Sequence, residues 1–123
     1  MTVVFLDYSE ESAASTLWQE LERVVSVKRY RHTSLPELLE RGRSADILVT
    51  TQLPLRREVL DYMTRPQHIL VPQSRRSELV ELEIAAQLGI AVHGIPADPR
   101  DSEPFLGAVA REIHVIAGSL TTE

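Results

Sequence analysis

The sequence predicts an α/β fold: one five-stranded parallel sheet of order 2-1-3-4-5, covered by helices on both faces. Three observations lead there. The 123 residues make one domain of ordinary size, with 43% hydrophobic and 25% charged residues, enough to fill a single core. Short apolar runs alternate five times with stretches of helical periodicity. Those runs are apolar at successive positions, as expected of strands buried on both sides.

The elements follow in order. Val3-Val4-Phe5-Leu6, ending at Asp7, is too short for a helix and reads as the first strand. Ser9 is placed as an N-cap, with Glu10 and Glu11 in the first turn, where the helix dipole favours negative charge. Ala14, Leu17, Trp18, Leu21 and Val24 or Val25 then recur at helical spacing. The segment VSVKRYRHT is extended but much more polar. Ser34-Leu35-Pro36-Glu37 has capping-box form, with Gly42 as a stop. ADILVTT, residues 45–51, is a buried strand. Leu55 to Met63 reads as a short helix closed by Arg65-Pro66. His68 to Val71 is the fourth strand, Ser77 to Leu88 a helix with Gly89 as its C′ residue, and Ile90 to Ile95 the fifth strand. A turn with Pro96, Asp98, Pro99 and Asp101 leads to a last helix from about Glu103 to Ala117. The resulting architecture is flavodoxin-like.

Composition narrows the function classes. There is no cysteine, which excludes disulfides, thiolate nucleophiles and cysteine-ligated metals. The formal charge of −5 argues against generic nucleic-acid binding, and no apolar run is long enough to span a membrane. The start of the chain lacks the pattern of a secretion signal, so the expected location is cytoplasmic. His32, His68, His93 and His114 are dispersed without i, i+4 pairing, so no metal site is expected. Neither G-x-G-x-x-G, G-x-x-x-x-G-K-[ST] nor G-x-S-x-G occurs.

In such a sheet ligands bind beyond the carboxyl ends of the strands, here Asp7 and Tyr8, Thr50 to Leu53, Pro72 to Arg76, and Gly94 to Pro96. Asp7 reads either as half of an acid–base pair or as a cap on neighbouring backbone. Two basic clusters interrupt the acidic chain. Lys28, Arg29, Tyr30, Arg31 and His32 lie on the second strand, a sheet edge. Such charge either blocks edge-to-edge aggregation or recruits an acidic extended peptide by strand addition. Ser74, Arg75 and Arg76 precede a helix and suit a carboxylate or phosphate, unless the arginines merely pair with Glu78 and Glu81. On the last helix, Phe105, Val109, Ile113, Ile116 and Leu120 form an apolar stripe expected to pair two copies into a homodimer.

ILVPQSRRSELVELEIAAQLGIAVHGIPADPRDSE resembles the substrate-domain segment of the D-2-hydroxyacid dehydrogenases, the family of formate, glycerate and D-lactate dehydrogenases. Ala85, Ala86, Gly89, Ile90 and Pro96 carry the match, and ADILVTTQLPLRREVL resembles the preceding strand and helix. The family's carboxylate loop, G-x-G-x-D-x-x-D, aligns its glycines with Ser74 and Arg76 and its acidic positions with Glu78 and Glu81. The resemblance implies that the nucleotide-binding domain and the catalytic Arg, Glu and His fall outside the 123 residues. The expectation is therefore a natural small protein with no cofactor, no NAD and no enzymatic activity of its own. By size, fold and missing parts it is also similar to the crocagin-type precursor-peptide-binding proteins of ribosomal-peptide biosynthesis. That implies a peptide-binding module presenting a precursor peptide to its modifying enzyme. The alternatives are a small-anion sensor or accessory subunit using the former substrate cleft, and half of a split dehydrogenase.

Overall fold

Five parallel strands pair in the order β2-β1-β3-β4-β5 in a computed structural model of the chain. It describes residues 1–8, 15–62 and 67–121, with Ser15 and residues 119–121 described by backbone alone. The strands are β1 (Thr2–Phe5), β2 (Ser26–Arg29), β3 (Ile47–Val49), β4 (His68–Pro72) and β5 (Ala91–Ile95). The helices are α1 (Ser15–Glu22), α2 (Leu35–Arg43), α3 (Arg57–Leu60), α4 (Arg76–Leu79), α5 (Leu82–Gln87) and α6 (Ser102–Thr121), with a 3₁₀ turn at Gln73–Arg75. The expected sheet and its order are therefore present. The proposed cap at Ser9 to Glu11, Ala14, and the stop at Met63 to Pro66 lie outside the described residues.

Alternation along the strands divides the core into two layers. Val3, Phe5, Ile47, Val49 and Leu70 face one side, against α1 and α6, where Trp18, Leu21, Phe105, Val109 and Ile113 meet them. Val4, Leu6, Leu48, Ile69 and Val71 face the other, against Leu38, Leu60, Leu79 and Ala85. Each such fully buried side chain contributes about 1.5–3 kcal/mol. This two-sided demand is why the strands read as unbroken apolar runs. β2, at an edge, alternates between exposed and half-buried, and Ala91 on the opposite edge is exposed.

Local signals place the helix ends. Ser34 and Glu37 close a reciprocal box around the start of α2, with Ser34 N–H donating to Glu37 Oε1 at 2.9 Å. These contacts hold the exposed Glu37 carboxyl below its usual range, the Ser34 backbone N–H being the largest cause. Gly42 is not the stop: it is buried inside α2, which runs to Arg43. Gly89, at φ 76°, terminates the α5 segment in the left-handed conformation that glycine adopts without penalty.

Three further expectations need correction. The helix expected from Ser77 to Leu88 is broken at Val80, which is extended (φ −133°, ψ 135°). Val80 forms a parallel bridge with Leu55: Leu55 N–H donates to Leu79 O at 2.6 Å and Glu81 N–H to Leu55 O at 3.4 Å. Leu55 and Val80 are both buried, so their backbone groups must be paired inside the protein, and pairing them across the two crossovers does this. The same bridge removes Leu55 from α3, which begins only at Arg57. Finally, the stripe expected to join two copies faces inward. Phe105, Val109 and Ile113 are fully buried and Ile116 is 4% exposed, all within the chain's own core. α6 shares this core with α1 and with Val3, Phe5, Val49 and Leu70 of the sheet, so its apolar stripe is covered by the chain itself. The side chain of Leu120 is outside the described residues.

Candidate functional site: a cleft at the carboxyl ends of the strands

The cleft begins with Asp7, just past β1. Its carboxylate accepts the backbone N–H groups of Thr51 (2.8 Å), Gln52 (2.8 Å) and Leu53 (2.9 Å), and the Thr51 hydroxyl at 3.0 Å. Asp7 is thus the cap on neighbouring backbone. It fixes the loop after β3 as one wall of a concavity of about 590 Å³. The other walls are Pro72 to Arg75 after β4 and Ile95 to Arg100 after β5. These are the strand ends expected from topology alone.

One glycine gives a side chain its place in this arrangement. The Gln73 side chain lies directly on the Gly94 backbone, and a Cβ at Gly94 would push that amide aside while meeting the Gln73 Cα at 3.2 Å. Arg75 stands at the mouth, where its guanidinium donates to Thr51 O at 3.2 Å and pairs with Glu78 at 3.2 Å. Arg76 is half-buried, and its Nε is shielded from water without a hydrogen-bond partner. The bland reading of two surface ion pairs therefore holds for Arg75 alone, since Glu81 instead accepts Arg57 N–H at 2.8 Å. Ser74 is exposed on the cleft wall.

Sequence reasoning missed Arg100. It grips Asp98 through Nε and Nη2, at 3.1 and 2.8 Å, while its backbone N–H donates to Asp98 Oδ1 at 2.9 Å. The Arg100 side chain draws Asp98 down to about 2, aided by the backbone bond, and Asp98 in turn raises Arg100. The signal available was the D-P-R turn, in which an Asp side chain caps the amide two residues on. The charged side chains lining the cleft are thus Arg75, Arg100 and Asp98, a net balance of +1 on an acidic chain.

The second basic cluster is divided. Lys28, Arg31 and His32 are exposed, but Arg29 lies over the Trp18 ring at 4.4 Å. Tyr30 is covered by Arg41 at 3.6 Å, and Arg41 also donates to His32 O and to Thr33 Oγ1. The strand ends at Arg29, so only part of the cluster is on the sheet edge.

Two of the dispersed histidines meet. His68 Nδ1 and His93 Nε2 are 3.0 Å apart, and His93 Nδ1 is 3.2 Å from Glu112. Among the described residues no group of three or more side chains suits a metal ion, and no helix is long and apolar enough to cross a membrane.

No family model matches the chain. A provisionally named 2-hydroxyacid dehydrogenase of Haemophilus influenzae is 29% identical over 93 residues, which are 74% of this chain and 29% of that protein. Among solved structures, an acyclic imino acid reductase in complex with NADPH and D-Arg superposes with a TM-score of 0.69 at 14% identity. A 3-phosphoglycerate dehydrogenase of Entamoeba histolytica, with NAD+ bound, gives 0.66 at 17% identity. Each match covers 78% of this chain, and 31% and 33% of the reductase and the dehydrogenase respectively. The chain shares their fold. It spans about a third of their length, and its sequence similarity to the 2-hydroxyacid dehydrogenases is weak.

Proposed function

We propose that this chain binds a small organic anion, of the 2-oxo or 2-hydroxy acid class, in the cleft at the carboxyl ends of β3, β4 and β5. It does so as a sensing or accessory domain, or as the substrate half of a two-part reductase. The observation that carries this reading is the concavity itself. It is walled by a loop that Asp7 holds rigid, with two guanidinium groups at its mouth and a net positive lining. A carboxylate suits such a lining because charge-assisted bonds to guanidinium are the strong ones. The fold relatives support the class, since they are dehydrogenases and reductases. Glycines occur only at 42, 89, 94, 107 and 118, so no G-x-G-x-x-G loop is present. Any hydride step would draw its cofactor from another domain or chain.

The test is calorimetric titration with glyoxylate, 2-oxoglutarate and NADH. A saturable 2-oxo acid isotherm is expected, weakened about tenfold by Arg75→Ala, roughly 1.4 kcal/mol, and unchanged by Arg31→Glu. NADH is expected not to bind below about 1 mM. Absence of any 2-oxo acid isotherm would reject the proposal.

A second reading, capture of an acidic extended peptide such as a precursor peptide, rests on a different feature. β2 is a sheet edge, and Lys28 and Arg31 stand exposed beside it. Strand addition there would draw affinity from main-chain bonds and register from these cations. Titration with an acidic peptide, lost in the Lys28→Glu, Arg31→Glu double variant and retained in Arg75→Ala, would favour it.

A further inference from the structure

We propose that His68, His93 and Glu112 form a proton-operated clasp across β4, β5 and α6, whose link between the two strands opens when both imidazoles are protonated. The three side chains come from β4, β5 and α6, and all are partly shielded from solvent. Only one proton fits between His68 Nδ1 and His93 Nε2 at 3.0 Å.

The bonding follows from donor and acceptor counts. Above the usual histidine range, Glu112 accepts His93 Nδ1–H, which leaves His93 Nε2 as the acceptor for His68 Nδ1–H. One added proton is accommodated. His93 becomes an imidazolium between Glu112 and His68, and the His68 hydrogen moves to its outer Nε2. A second proton places two N–H groups head to head on two like charges, and the link between the strands is lost.

The surrounding charges agree. Burial lowers the proton affinity of His68, the His93 charge lowers it further, and Glu112 opposes both. Of the other titratable groups on adjoining elements, Arg111 and His114 on α6 are exposed. Asp46 below β3 accepts Thr2 N–H at 2.7 Å, and Glu83 on α5 is exposed on the opposite face of the sheet. Arg75, Arg76 and Glu78 lie towards the other end of β5. The unfolded chain thus protonates residue 68 before the folded one does. Stability falls as pH drops from the ordinary value of about 6.5 towards the lowered folded value.

Nitrogen-15 NMR of the intact chain tests this. At pH 8 both His68 and His93 should be protonated on Nδ1, and they should titrate in two separated steps. Between pH 7 and 5, exchange of the β4 and β5 amides around His68 and His93, corrected for intrinsic rates, should rise about tenfold in the wild type. It should stay flat in His68→Phe. Two independent titrations near 6.5, or an unaltered acid response in His68→Phe, would overturn the proposal. If His68→Phe does not fold, the wild-type tautomers and titration steps decide alone.

Discussion

The two basic regions of this molecule use their cations in opposite ways. At β2, Arg29 lies on Trp18 and Arg41 on Tyr30, so guanidinium groups are spent on the chain's own aromatic faces. At the cleft, Arg75 and Arg100 are fastened to Thr51 O and Asp98 at one end of a concavity that the backbone itself builds. A run of positive residues in sequence therefore says little about binding until the faces beneath it are known. The cleft is a shape with charge on its rim; the edge is a packed surface whose charge is partly internal.

Removing the platform under Arg29 should have the largest effect. Trp18→Ala leaves a void beside Phe5, whose ring packs edge-on to Trp18 at 4.8 Å, and should cost about 4 kcal/mol in urea unfolding. A loss below about 1 kcal/mol would show that the edge is not the packed region described. Next, Asp7→Ala removes the carboxylate shared by three backbone N–H groups, of which Leu53 keeps the Thr50 hydroxyl and Gln52 faces water, and should cost about 2 kcal/mol while also abolishing anion binding in the cleft. If binding survives, the wall is held by something other than Asp7. Arg41→Met keeps the aliphatic cover on Tyr30 but loses the bonds to His32 O and Thr33 Oγ1. About 1 kcal/mol is expected from thermal or urea unfolding, without change in the cleft.

The smallest effect concerns the exposed Asp98–Arg100 pair, whose contribution to stability solvent screens. Carbon-13 NMR should find Asp98 titrating at about 2, returning towards 3.8 in Arg100→Ala. Because its folded value is depressed, the pair's contribution is present above about pH 4 and fades as pH falls towards 2. An ordinary Asp98 titration in the wild type would dissolve the cleft's rim as described.

Much of this was legible in sequence, for identifiable reasons. Apolar runs at Val3 to Leu6, 45–51 and His68 to Val71 disclose strands because both faces of the sheet are covered. The capping box at Ser34 and the C′ Gly89 are local, so composition alone reveals them. The cleft residues followed from topology, and Asp7 as a backbone cap from its place at a strand end. Apart from Gly42 and Arg100, which are local, what failed depended on partners distant in sequence. The break at Val80 arises from Leu55, 25 positions earlier, and no helical propensity in S-E-L-V-E-L-E announces it. The α6 stripe has the same periodicity whether it meets a second copy or its own sheet; its partners Phe5, Val49 and Leu70 lie far away in sequence. His68 and His93 meet diagonally because Leu70, not His68, is the register partner of His93, a pairing invisible without the ladder.

The Leu55–Val80 bridge also maps where the chain can be lengthened. Surface connections ordinarily accept inserted residues, and the turn from Pro96 to Asp101 has the exposed polar positions that suit them. The connections after β3 and β4 differ, because each holds one half of a backbone pair. An added residue beside Leu55 would pull it out of register with Val80 and drag a buried side chain with it. Variation in cleft shape is therefore steered towards the turn after β5, the wall that carries Asp98 and Arg100.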